Sequence, residues 1–255
     1  MAWDPAQYLK FAGPRLRPAL DLLQRIEAEA PATVYDLGAG TGNVTRLIAA
    51  RWPAARIVGV DSSAEMLAKA AAENRTIEWQ QADLAAWRPA HPAEIIYSNA
   101  ALQWLGDHET LFPRLLGLLA PRGALAVQMP RNFAAPSHTL IFETALDGPW
   151  RPTLEPLLNR SPVAAPDFFY DLLAPLAASL DIWESEYLQV LDGPNPVKEY
   201  TKGSWLSPLL AALDEPLKSR FEAAYGERVL AAYPPRADGR TLFPFRRLFL
   251  IATAR

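Results

Sequence analysis

The sequence predicts an α/β fold, a doubly wound and mostly parallel seven-stranded sheet with helical lid insertions. Three observations predict it. Short β-branched, apolar runs alternate with segments of helical period through the first half of the chain. The first of these runs ends in a Gly-x-Gly-x-Gly turn that opens a helix. Half of the 255 residues are hydrophobic, enough to bury one large core. Strands joined by helices pair in parallel through right-handed crossovers, because a twisted strand feeding a right-handed helix packs back on its sheet in that hand only.

The elements follow in order. An opening helix is expected from Pro5 to Ala28, interrupted near Gly13 and Pro14, with Leu16, Leu20, Leu23 and Ile26 on one apolar face; residues 1–30 are read as an N-terminal lid helix. Thr33 to Leu37 is a strand that ends in glycines and runs into a helix from Thr41 to Trp52. Arg56 to Val60 gives a second strand ending on Asp61, and Ser63 caps a helix through Asn74, with Glu65 in its first turn and Met66, Leu67 and Ala70 facing inward. Thr76 to Gln80, Ile95 to Ser98 and Ala124 to Met129 give strands three to five, with a helix from Leu111 to Leu119 before the fifth. Residues 31–130 form the ligand-binding core on this reading. Prolines are sparse before Pro113 and dense from there to Pro244, so the second half is expected to be rich in loops. Strands at Leu180 to Leu191 and Leu248 to Ala252 complete the sheet, and a helical stretch covers Leu206 to Ala232. Residues 131–255 therefore hold the remaining strands with lid insertions at 131–178 and 194–243, all within one compact domain.

Composition excludes several classes. With no cysteine there is no disulfide framework, thiolate nucleophile, cysteine-based zinc site or iron–sulfur cluster, and no metal is expected. A formal net charge of -3 argues against a nucleic-acid partner, whose phosphates call for a basic surplus. The start of the chain lacks a basic segment followed by an apolar run, and no apolar stretch reaches the roughly 18 residues of a membrane span, so a cytoplasmic protein without a membrane partner is expected.

Gly38, Gly40 and Gly42 sit where a strand must turn sharply into a helix and where a ligand can approach the backbone. The third glycine comes one residue too early for a dinucleotide fingerprint, and no Gly-Lys-Ser/Thr ending marks a nucleoside triphosphate loop. Asp36 beside the first glycine would repel a pyrophosphate, whereas S-adenosylmethionine carries a sulfonium and an ammonium group that a carboxylate attracts. Asp61 ends the second strand about twenty residues on, where a carboxylate accepts from ribose hydroxyls. Asp83, after the third strand, is read either as a helix cap or as an acceptor for an adenine amino group beside Leu84. Three acids at three successive strand ends point to a site at the carboxyl edge of the sheet.

These residues resemble the class I S-adenosylmethionine-dependent methyltransferases, which have a Rossmann-like fold, through DLGAGTG, VGVDSS, ADL and SNAALQW. Within that class the chain is similar to the bacterial trans-aconitate 2-methyltransferase family. The narrower likeness rests on WDPxxYLKF and RxRPALDLL at the start, SNAALQWLGDH, LAVQMPRNFAAPSH, and AYPPRADGRTLFPFRRLF near the end, and so runs along nearly the whole chain. The family's usual DLGCGPGN is altered here at Ala39 and Thr41, which leaves the glycines in place. The resemblance implies Asp36, Gly38, Gly40 and Gly42 around the methionine moiety, Asp61 on the ribose, Asp83 and Leu84 at adenine, Ser62 and Met66 flanking ribose and adenine, and Asn99 after the fourth strand. It also implies a carboxylate acceptor, a monomethyl ester product and S-adenosylhomocysteine.

A carboxylate is ionised at neutral pH, so no general base and no catalytic residue beyond those that align the reactants is expected. A small polycarboxylate requires cations and donors, and arginine forks match carboxylates best. Arg15 and Arg17 lie near the start, and Arg236, Arg240, Arg246 and Arg247 near the end. Of these, Arg17 and the RTLFPFRR run, with Arg240 and Arg246, are favoured because apolar neighbours suggest partial burial. Gln103, Trp104 and Gln128 are expected to face the same cleft, and His138 is read as a loop residue able to donate to a substrate carboxylate. His108 is read as a helix start, and the downstream aromatics as lid core. Three other readings stay open: a related small-molecule or carrier-protein carboxyl methyltransferase, such as one acting on a malonyl thioester, a cofactor-binding regulator, and an NAD-dependent oxidoreductase.

Overall fold

The computed structural model describes residues 16–158, 163–203 and 205–255. In chain order the main elements are α1 (Arg17–Gln24), β1 (Thr33–Leu37), α2 (Asn43–Arg51), β2 (Arg56–Asp61), α3 (Ala64–Glu73), β3 (Glu78–Gln81), β4 (Ala93–Asn99), α4 (His108–Leu116) and β5 (Leu119–Pro130). There follow α5 (Pro136–Leu146), the short α6 (Arg151–Leu154), α7 (Pro166–Leu173), β6 (Ser179–Leu191), α8 (Pro196–Lys202), α9 (Ser207–Ala211), α10 (Leu217–Ala232) and β7 (Thr241–Thr253). The sheet has seven strands in the order β3-β2-β1-β4-β5-β7-β6, and the pairs β1–β2, β1–β4, β2–β3 and β4–β5 are parallel. The chain steps outward from β1 to β3 and then returns to the other side of β1 as β4. That reversal opens a crevice beyond the carboxyl ends of β1 and β4.

The described chain falls into two compact units. The first comprises the residues up to Pro130 with Val163–Ser185 and Leu248–Arg255; the second comprises Arg131–Pro162 and Glu186–Arg247. The first unit is built on strands buried on both faces, so β1, β2 and β4 read as almost continuous apolar runs. Pro18 presets the entry of α1, which buries Leu20, Leu22 and Leu23, and the Tyr97 hydroxyl of β4 donates to the Ala19 carbonyl (2.8 Å). The part of the expected opening helix from Pro5 to Arg15 lies outside the described residues. The core of the second unit packs Phe221, Tyr225 and Val229 of α10 with Ile141 and Ala145 of α5, Trp150, Leu154, Phe243 and Phe245. Each such side chain contributes on the order of 1.5–3 kcal/mol through burial.

Several element boundaries move. Asp107 caps α4 by accepting from the Thr110 N–H (3.3 Å), so that helix starts at His108 and ends before Leu119, not at it. Ala120 to Gly123 has the composition of a turn but belongs to β5; Arg122 has φ 64° there, and a Cβ at Gly123 would lie 2.9 Å from the carbonyl oxygens of Ala120 and Ala93. The register against β4 shifts at that place. β7 begins at Thr241 and not at Leu248, with Pro244 inside it. The helical stretch expected from Leu206 to Ala232 is two helices, α9 and α10, separated around Asp214 to Pro216. His138 lies in α5, not in a loop: Pro136 stands at the first position of a helix, where its missing N–H costs nothing.

Candidate active site

The site is assembled at the exits of β1, β2 and β4 in the first unit. Asp36 of β1 is 2% exposed and accepts from the Thr45 hydroxyl of α2 (2.6 Å). Burial pushes its carboxyl up to about 7; the Thr45 bond opposes the rise and the charge of Asp61 adds to it. Gly38 has φ 81°, and a Cβ on it would meet the Cβ of Ala101 at 2.1 Å, so no other residue fits. Gly40 has φ 55° with open space beside it. Gly42 precedes the first residue of α2.

Four N–H groups of this loop are used inside the protein. Those of Gly38 and Ala39 donate to the Val60 carbonyl (2.8 and 3.0 Å), that of Gly42 to Ala39 (2.9 Å), and that of Gly40 to Asp61 Oδ2 (2.8 Å). Asp61 Oδ1 accepts from the Ser63 N–H (2.9 Å), so this one carboxylate ties the glycine loop to the start of α3. Each of its oxygens keeps capacity for a further donor. Ser62 is exposed, and its carbonyl accepts from the Gln81 amide (3.1 Å). Met66 is 41% exposed and does not face inward with Leu67 and Ala70 as expected; the buried face of α3 narrows to those two residues. Asp83 is exposed and accepts from the Ala85 N–H (2.9 Å) in a turn, with no helix after it to cap. Leu84 beside it is buried. The Arg114 guanidinium of α4 donates to the carbonyls of Leu84, Ala85 and Trp87 (3.0, 2.9 and 2.6 Å) and holds that turn. Neither Thr45 nor Arg114 stood out in the sequence, since each is defined by a partner in another element.

At the exit of β4, Ser98 donates to the Leu37 carbonyl (2.8 Å), and Asn99 pairs in register with Gln128 of β5. Gln103 is buried and its amide nitrogen donates to the Ala100 carbonyl (2.7 Å). Asn99 Oδ1 and Gln103 Oε1 are buried acceptors without a donor among the described residues. Gln128 is fully buried, whereas the Trp104 indole is 53% exposed. A cationic nucleoside fits this donor set: unmet oxygens and carboxylates suit ammonium, hydroxyl and amino hydrogens, while four N–H groups of the loop already donate within the protein.

The arginines fall out differently from the sequence reading. Arg17 is exposed despite its apolar neighbours, Arg246 is exposed, and Arg240 is exposed with its guanidinium 3.4 Å from Asp192. Burial belongs instead to Arg247, which is 6% exposed, lies 4.8 Å from the Phe245 ring centroid and reaches the Tyr200 hydroxyl (3.5 Å). The reason is the two-residue period of β7, which sends Phe243, Phe245 and Arg247 inward and Arg246 outward. Arg15 lies outside the described residues. His138 is buried in α5 of the second unit. Among the described residues no group of three or more His, Asp or Glu side chains could hold a metal, and no helix is long and apolar enough to cross a membrane.

Known proteins extend this picture. The methyltransferase domain family matches residues 34–123, which span the glycine loop and the acids after it. A trans-aconitate 2-methyltransferase of Azoarcus sp. (strain BH72) is 52% identical over 250 residues, covering 98% of each chain. The chain belongs to the trans-aconitate 2-methyltransferase family. A second member, from Pseudomonas aeruginosa (strain UCBPP-PA14), is 47% identical over 258 residues and is matched over 94% of its length. Solved structures agree on the fold alone: the YcgJ protein of Bacillus subtilis superposes with a TM-score of 0.59 at 14% identity, covering 93% of this chain and 98% of its own. Phosphoethanolamine N-methyltransferase 2 of Haemonchus contortus gives a TM-score of 0.55 at 14% identity, over 93% of this chain and 52% of that one. The trans-aconitate 2-methyltransferase family thus shares the second unit as well as the first, since its members align over both.

Proposed function

We propose that the chain transfers the methyl group of S-adenosylmethionine to a carboxylate oxygen of trans-aconitate, giving a monomethyl ester and S-adenosylhomocysteine. The observation that carries the cofactor half is the glycine loop, four of whose N–H groups donate to Val60, Ala39 and Asp61, set among carboxylates and unmet oxygens. The acceptor half follows the near full-length identity to relatives bearing that name. Asp36 and the loop of Gly38, Gly40 and Gly42 would hold the methionine moiety, with Asn99 Oδ1 accepting from its ammonium group. Asp61 would take the ribose hydroxyls, Asp83 and Leu84 the adenine, and Ser62 and Met66 would flank them.

Bound there, the cofactor supplies an electrophilic methyl group on a sulfonium. The protein's part is alignment: positioning two bound reactants in line supplies several kcal/mol of barrier lowering without any proton transfer. An ionised carboxylate needs no base, and in the free protein burial raises the Asp36 carboxyl to about 7 and lowers the His138 imidazole to about 4. Within the first unit, Arg17 would be an exposed cation for one of the remaining carboxylates, and Gln103, Gln128 and Trp104 further acceptor contacts. Incubation with S-adenosylmethionine and a panel of di- and tricarboxylates, read by mass spectrometry, tests the reading. A monomethyl ester of trans-aconitate is expected; tight cofactor binding with no ester from any acid would refute it.

A further inference from the structure

The turn that leaves β4 carries a side chain whose orientation is fixed by what it touches. Gln103 is 4% exposed, and its Nε2 donates to the Ala100 carbonyl (2.7 Å). A carbonyl only accepts, so the amide cannot be reversed, and Oε1 is the end left over from that bond. Oε1 is buried and has no hydrogen-bond partner among the described residues. Asn99 Oδ1, earlier in the same turn, is a second buried acceptor without a donor among them. All of these residues belong to the first unit.

The turn is built around this amide. Ala100 has φ 54°, in the left-handed region that an alanine seldom adopts, and it is held there from both sides. Its N–H donates to the Gln128 carbonyl (2.9 Å), and its carbonyl accepts from Gln103. The same turn lies against the glycine loop. The Cβ of Ala101 is 2.1 Å from the point that a Cβ on Gly38 would occupy, and Ser98 ties the exit of β4 to Leu37 of β1 (2.8 Å).

Unmet oxygens beside the loop call for a ligand that brings hydrogens, and a carboxylate brings none. The methionine end of the cofactor is a zwitterion, with an ammonium and a carboxylate on one carbon. A neutral amide oxygen accepts from the ammonium without the repulsion that an Asp or Glu would exert on the carboxylate beside it.

We infer that Gln103 Oε1 accepts from the α-ammonium group of S-adenosylmethionine, alongside Asn99 Oδ1, and so makes the site selective for a cofactor with an intact amino-acid end. The inference rests on the cofactor reading above and deepens it. The amide nitrogen carries a second hydrogen, which is the part of this side chain that would serve the methyl acceptor.

Calorimetry with no acceptor present tests this, using S-adenosylhomocysteine and 5′-methylthioadenosine, which keeps the nucleoside and sulfur but lacks the ammonium and the carboxylate. Gln103→Met keeps the length of the side chain and removes its oxygen. It should weaken S-adenosylhomocysteine by about tenfold or more and 5′-methylthioadenosine by less than about twofold, and Gln103→Ala should show the same contrast. The unaltered chain should bind an S-adenosylhomocysteine analogue with hydrogen in place of the α-amino group about tenfold or more weakly than the parent compound, a comparison that needs no variant to fold. An unchanged Kd for S-adenosylhomocysteine in Gln103→Met, an equal weakening of both ligands, or an analogue bound as tightly as its parent would each overturn the inference. If the unaltered chain binds neither S-adenosylmethionine nor S-adenosylhomocysteine, the cofactor reading fails and takes this one with it. If it binds both and Gln103→Met binds them with the same Kd, only the role of Gln103 fails.

Discussion

Asp36 combines a buried carboxyl, one hydroxyl donor and a neighbouring acid, and its pKa of about 7 in the folded chain stands above the ordinary 3.8. The folded state therefore holds this proton more tightly than the unfolded one. Its effect on stability is sparing below about pH 4, where both states are protonated, and grows into a cost as pH rises toward 7, on the order of 4 kcal/mol at most. Asp36→Asn should accordingly raise the melting temperature of the cofactor-free chain at pH 8, change it little at pH 4, and weaken S-adenosylmethionine binding. Thermal melts across that range check it, and a stability gain independent of pH would show that the carboxyl is not the source. Asp36 and Asp61 were legible in the sequence because each stands at the end of a strand, where an apolar run gives way to glycine or serine. The partners that set their properties were not: Thr45 meets Asp36 only because α2 folds back along β1.

At the scale of elements, legibility followed periodicity and failed where tertiary contacts overrode local composition. β1, β2 and β4 were read nearly to the residue because both of their faces are buried. Ala120 to Gly123 lies within β5 as an irregularity, Ala93 pairing with Leu119 and Ile95 with Ala124, and β7 starts earlier than expected, with Pro244 inside it. That second miss had a cost for the site, since a strand starting at Thr241 assigns burial to Arg247 in place of Arg246. Arg114 offers a test at this scale, because α4 secures the turn after β3 through three carbonyls. Arg114→Ala leaves those carbonyls without their donor, so amide exchange from Leu84 to Arg88 should speed up by about tenfold or more while β1 and β4 exchange as before. Unaltered protection over that turn would mean that the guanidinium does not hold it.

For the molecule as a whole, the strand order and the acid-lined loop are enough to place the chain in its fold class, and the flanking segments carry the family. Which arginines are buried was not legible, because strand phase and helix position decide it. The second unit is discontinuous in sequence: its core joins Ile141, Trp150 and Leu154 from the first segment to Phe221, Tyr225 and Phe243 from the second. A chimaera that takes both 131–162 and 186–247 from the Pseudomonas aeruginosa relative should melt cooperatively and bind S-adenosylhomocysteine, whereas exchanging either segment alone should lower the melting temperature by several degrees through mismatched packing. Equal stability of all three would show that the two segments do not share a core. A recombination breakpoint between these two stretches would separate residues that pack in one core and have to change together.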